Sequence, residues 1–213
     1  MAPGRKPTRT REEFVQAAIR FADERGISQL TLRALGAELG AATTAVYRYF
    51  ANKEDLIVAM REALLAEAIP ITTGGEARQR LHSTALSFRE TVRRHPCLSQ
   101  IMALAALEGE ESNDVVLHAV RALEDLGLSG SLLVRGYRQI ETFIVGTSSF
   151  DFSDAPMHLD ERLERLRRLN HPDFDKVLVD AAAVEASNEL AFVTTFTWIL
   201  DGLVAEANQG HPS

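Results

Sequence analysis

The chain has a single cysteine, Cys97, among 213 residues. No internal disulfide is possible, so packing alone must hold the fold, which suits a reducing compartment. Long apolar runs are scarce too. No window reads as long and apolar enough to span a bilayer, and the basic N-terminus lacks the apolar stretch of a signal peptide. The expectation is a cytoplasmic protein without a membrane partner. Alternation of β-branched and polar residues is missing at any useful length, which leaves no sheet to build. Also missing are a glycine-rich phosphate loop, a nucleophile elbow, metal-ligand spacings and paired catalytic acids. His82, His95, His118, His158 and His171 are too scattered for a metal site. No enzymatic activity, cofactor or metal is therefore expected.

What is present is ordinary in amount and uneven in arrangement. A hydrophobic content of 46% suffices for one large domain, or for a small one and a medium one. The net charge is −7, yet through Lys53 nine basic residues stand against five acidic ones, which leaves −11 for the rest. Arg5, Lys6, Arg9 and Arg11 precede the first acid. A basic head on an acidic body implies that only the head meets a polyanion. Residues 1–8 read as a flexible basic arm, either a solvated terminus or a segment that reaches a DNA groove or backbone.

Periodicity predicts helices throughout. Thr10-Arg11-Glu12-Glu13 forms a capping box, and Phe14, Ala17, Ala18, Phe21 and Ala22 give the first helix one apolar face. Gly26 reads as its left-handed C-terminal glycine. Thr31 caps a short second helix with Leu32, Leu35 and Leu39 inward, and Gly40 ends it. A third helix lies within Ala42–Phe50. A fourth starts after Asn52, with Glu54 and Asp55 in its first turn, and runs to about Ala68. Pro70, Gly74 and Gly75 mark a hinge. Beyond it, helices are expected over Arg78–His95, Leu98–Leu107, Asn113–Leu126, Ser131–Phe150 and Asp160–Leu169, with one or two over Val177–Asn208. The fold class is all-α: a head over residues 9–68 and a larger helical body over 77–208.

Three short helices with a tight turn between the second and third describe a helix-turn-helix. The turn needs Gly40, and the third helix must bring small residues to base edges in the major groove, which Thr43, Thr44 and Ala45 are. Val46 and Phe50 pin that helix from behind. Tyr47, Arg48, Tyr49 and Lys53 read as phosphate grips, with Arg33 on the second helix as a further basic contact.

The run Leu32-Arg33-Ala34-Leu35-Gly36-Ala37-Glu38-Leu39-Gly40, followed by Ala45 through Leu56, resembles the signature of the TetR repressor family. The resemblance spans Arg9–Ala68. It implies that the third helix enters the major groove, that Tyr47, Tyr49 and Lys53 touch phosphates, and that Thr31 and Thr44 lie near backbone or bases. It further implies a double-stranded operator with an inverted repeat, and a C-terminal domain that dimerises and binds an inducer. Glu62–Glu76 would carry the signal by a pendulum-like tilt. The sequence departs from the pattern at Ala41 and Ala42. Either Ala42 is the N-cap, at a cost of about 1 kcal/mol, or Thr43 caps and the helix starts one residue later.

In the body, an effector pocket needs apolar walls and a few polar groups. Candidate walls are Phe88, Met102, Leu107, Tyr137 and Phe143, and candidate polar contacts are His118, Gln139 and Glu141. The alternative for each is plain core packing or surface exposure. Aliphatic walls point to a small apolar or amphipathic effector. Ile140, Ile144, Phe192, Phe196, Ile199 and Leu203 crowd two helices that would pair with their copies in a four-helix homodimer interface, unless they simply fill the monomer core.

Overall fold

A computed structural model of the chain describes residues 9–68, 74–104, 110–152 and 158–209. Among them are eleven α-helices and no strand. The head holds α1 (Arg11–Arg25), α2 (Leu32–Glu38), α3 (Thr43–Tyr47) and α4 (Lys53–Ala68), with a short 3-10 turn at Ile27–Gln29. The body holds α5 (Ala77–Arg94), α6 (Cys97–Leu104), α7 (Glu110–Asp125), α8 (Gly130–Phe152), α9 (His158–Arg167), α10 (Pro172–Val177) and α11 (Ala181–Gln209). The capping box at α1 forms in both directions: Glu13 N–H donates to the Thr10 hydroxyl and Thr10 N–H to the Glu13 carboxylate.

Several expectations are corrected. Gly26 has φ 83° and ψ 147°, a positive φ without the left-handed turn expected there. The charged stretch after α9 folds a further short helix, α10, which has Pro172 at its first position and no buried residue. The last apolar segment is one helix of 29 residues, and by length and mean hydropathy of 1.4 it is apolar enough to cross a membrane, contrary to the sequence reading. In this fold it lies on α8, α9 and α5 instead. Residues 1–8, the arm, and Leu107 lie outside the described residues.

One buried cluster runs from Phe14, Ile19, Leu35, Val46 and Phe50 in the head, through Met60, Leu64 and Leu65 of α4, to Phe88, Val92, Leu98 and Ile101 in the body. A second joins α5, α7, α8 and α11 around Leu81, Leu123, Ile140, Phe192, Phe196 and Leu200. Between α5, α8 and α11 lies Arg89, 3% exposed. Its guanidinium is 2.7 Å from Asp151 and 3.0 Å from Glu189, and it stacks between the rings of Phe152 and Phe192. A buried charge held from four sides registers three helices at once, but removing it strips the guanidinium from the buried Asp151 carboxylate. Arg89→Met should cost about 3–5 kcal/mol, read by urea denaturation, because a buried pair is being broken from one side.

Candidate functional site

The helix-turn-helix is closed by backbone geometry. Gly40 takes φ 59°, Ala41 N–H donates to Gly36 O at 2.9 Å, and Gly40 N–H donates to Ala37 O at 3.1 Å. This pair of bonds is a Schellman ending for α2. It folds the chain back so tightly that a Cβ on Gly36 would lie 3.2 Å from the Ala41 carbonyl oxygen. Val46 and Phe50 are fully buried beneath, which fixes how α3 rolls. The opposite side presents Thr44, Tyr47 and Arg48 to solvent, Tyr47 with 56% exposure. Residues three and four apart share a helix face, so these form one outward strip. Thr43 and Ala45 are half-buried at its edges, and Arg33 is exposed on α2. Ala42 is the N-cap of α3, and no side chain caps that end, so Thr43 does not take the role.

Three predicted grips carry an additional bond. The Thr31 hydroxyl accepts from Ala34 N–H at 3.0 Å and keeps its own proton to donate. Lys53 donates one proton to Ile27 O at 2.8 Å, leaving two of its three. Tyr49 departs most from its expected role. Its hydroxyl donates to Arg9 O at 3.1 Å, and its ring packs 5.8 Å from that of Phe14. Arg9 in turn donates to Leu39 O at 3.2 Å. Tyr49 therefore spends its proton tying the chain before α1 to the end of α2, a link with no periodic signal in the sequence.

The head meets the body through a polar joint that the sequence reading also missed. Asp23, in the last turn of α1, lies 2.7 Å from His95 Nδ1 and accepts from Cys97 N–H at 3.1 Å. Glu67, in the last turn of α4, pairs with Arg94 and lies 3.8 Å from His95 Nε2. The corner between α5 and α6 thus holds α1 and α4 together. Cys97 is buried there. Burial, and then the charge of Asp23, push its thiol well above the ordinary range.

Inside the body is a cavity of about 80 Å³. Phe88, Met102, Tyr137 and Glu141 line it, as predicted for a pocket, with Thr84, Val115, Val116, Ala119 and Val145. Leu65 of α4 also forms part of the wall, as do Ile140 and Ile144. Tyr137 donates to Glu141 at 3.1 Å. Burial, and then the Glu141 charge, raise its phenol above the usual range, so it stays a neutral donor.

The other candidates are placed elsewhere. His118 is buried but does not line the cavity; burial first, then Arg80 and Arg121, lower its pKa, which keeps it neutral. Gln139 is exposed on the outer face of α8, and Phe143 stacks on Phe192 at 5.2 Å between ring centres.

The dimer candidates need a larger correction. Ile140, Phe192, Phe196 and Leu203 are at most 4% exposed within one subunit, and Ile144 lines the cavity. These side chains fill the core of a single chain, because α8 and α11 pack against each other within it. Ile199 is half-buried on an outer groove with Val134, Arg138, Gln139, Thr142 and Phe143. The large apolar side chains left outside on these helices include Val134 (70%), Leu190 (69%) and Trp198 (67%).

Against known families, residues 14–60 match the bacterial regulatory protein model of the tetR family, and residues 69–207 match the tetracyclin repressor-like C-terminal domain. The chain belongs to the TetR family. It is 30% identical over 148 residues to the HTH-type transcriptional repressor DrrR1 of Streptomyces coeruleorubidus, covering 68% of this chain and 54% of that protein. The chain spans about half the length of the curated relatives it matches first. Among solved structures, Streptomyces coelicolor ActR in complex with actinorhodin superposes with a TM-score of 0.67 at 20% identity, covering 93% of this chain and 98% of that one. Mycobacterium smegmatis BioQ with its double-stranded DNA operator superposes with a TM-score of 0.61 at 23% identity, covering 73% of this chain and 94% of that one. The architecture is thus that of a TetR-family member, an all-α helix-turn-helix head on a larger helical body.

Two outcomes test the local geometry. Ala42→Ser should raise stability by about 0.5–1 kcal/mol in thermal melting by supplying the missing cap of α3. Cys97, buried and with its thiol pushed up, should resist a thiol reagent at pH 8 until denaturant is added.

Proposed function

We propose that the chain is a homodimeric transcriptional repressor of the cytoplasm, without enzymatic activity, that grips an inverted-repeat operator and lets go when a small molecule enters the body. Residues 9–68 act as the DNA-binding head and residues 77–208 as the effector-binding and dimerising body. Residues 1–8 are a basic arm that adds phosphate contacts. Thr44, Tyr47 and Arg48 face the duplex, Thr44 at base edges and the other two at phosphates. Arg33, Thr31 and Lys53 add grips at the flanks, and Thr43 and Ala45 approach the bases from the edges of the strip.

The observation that carries the reading is Leu65. It belongs to the helix that leaves the head, and it is also a wall of the cavity. A ligand that widens so small a cavity toward Leu65 pushes on α4, and hence on the orientation of the recognition helix. Such a ligand releases DNA only if it binds the displaced form better than the DNA-gripping form. That BioQ was solved with an operator, and ActR with actinorhodin, supports both halves of this reading by analogy.

Dimerisation through the outer faces of α8 and α11 is supported by the exposed Val134, Leu190 and Trp198 and by the apolar character of α11. A second copy that covers them accounts for an apolar helix of which only 28% of its most apolar stretch is buried.

Purified protein presented with a random duplex library should enrich a short inverted repeat. Binding should weaken as salt rises and be lost with Tyr47→Ala, whose exposed ring has no core to disturb. Binding without enrichment, or enrichment of a single half-site, would overturn the repressor reading. For the dimer, Val134→Glu with Trp198→Glu should yield monomers in sedimentation and lower operator affinity by at least ~tenfold, since each half-site then binds alone.

A further inference from the structure

We infer that the molecule this cavity takes is a lipophilic cation, with its charged group at Glu141 and its apolar part among Leu65, Phe88, Met102 and Val115. This rests on the reading of the cavity as the effector site.

The cavity's described walls are apolar save for Thr84, Tyr137 and Glu141. Among the described residues that line it, Glu141 is the one charged group, and none is Lys, Arg or His. The Glu141 side chain is 19% exposed, so most of its natural hydration is already gone. One oxygen accepts from Tyr137 at 3.1 Å. The other accepts from Arg138 at 2.5 Å. That arginine is 74% exposed and sits three residues earlier on the same helix, so it reaches the carboxylate from the solvent side. An ion pair with so exposed a partner is weak and easily exchanged.

A ligand filling the cavity displaces what water remains around the carboxylate. A neutral ligand leaves that loss uncompensated, and an anion adds repulsion. An anion would also find few donors among the described lining residues, because the Tyr137 proton is committed to Glu141 and the Thr84 hydroxyl is what remains. A cation restores the lost interaction inside a poorly polarisable wall, where a charge pair is stronger than at the surface. Phe88 and Tyr137 further supply ring faces that attract cations and not anions.

The test uses the full chain and three probes with one eight-carbon tail: octyltrimethylammonium, 1-octanol and octanesulfonate, each below its micellar range. Calorimetry should rank the cation at least ~tenfold tighter than the alcohol and the sulfonate weakest. Glu141→Gln, which keeps an acceptor for Tyr137, should cut the cation's advantage to within ~twofold. Arg138→Ala, which removes only the exposed competitor, should tighten the cation a few fold without helping the alcohol. Equal affinities, a tighter sulfonate, no binding of any probe, or an unchanged ranking in Glu141→Gln would each overturn the inference. Operator release is scored separately by fluorescence anisotropy. A cation that binds through Glu141 and leaves the operator complex intact would sustain the ligand class and sink the effector reading.

Discussion

The structure depends on α4 being packed on both sides of the molecule at once. Its buried residues include Leu56, Ile57, Met60, Leu64, Leu65 and Ala68. Through them α4 lies against α1 in the head and against α5, α6 and α7 in the body. The buried apolar cluster is therefore continuous from Phe14 to Ile101. Close-packed interiors transmit a displacement instead of absorbing it. A change in the body's packing must either stop at α4 or move it, and with it the face that carries Thr44 and Tyr47.

The polar joint at the α5–α6 corner complements that core. Asp23, in the last turn of its helix, accepts from the Cys97 N–H and lies against His95, while Glu67 pairs with Arg94. Apolar contact alone tolerates sliding, because dispersion has little direction. Charged hydrogen bonds of fixed geometry do not. The joint thus adds directional contacts that hold the head in place on the body. Arg89 does the same for α5, α8 and α11. Both devices join elements far apart in the chain, and both are built from residues that look like ordinary surface charges in the sequence.

Much of the head was legible because its determinants are local. The Thr10–Glu13 capping box, the cap at Thr31, the turn at Gly40 and the start of α4 after Asn52 each depend on residues within a few positions, and all are found in place. The role of Tyr49 was not legible. Its partner is the Arg9 backbone, 40 positions away, and a tyrosine aimed at a phosphate has the same sequence signature as one aimed at a carbonyl. In the body Phe88, Met102, Tyr137 and Glu141 line the cavity while His118, Gln139 and Phe143 do not, because helical periodicity marks an inner face without saying which of its residues border a void. Ile140, Phe192, Phe196 and Leu203 were assigned to the wrong side. The apolar residues of α8 and α11 occupy more than one face, and periodicity does not say which face meets the subunit's own core and which is left for a partner.

By itself the sequence determined the all-α class, the helix-turn-helix and the basic head on an acidic body, since caps, periodicity and charge are properties of neighbouring residues. Only the tertiary structure decided that Leu65 and Glu141 line the cavity and that Val134 and Trp198 remain outside. These depend on how helices roll and cross, and that is settled by the fit of all the side chains between them together, not by any one helix's own pattern.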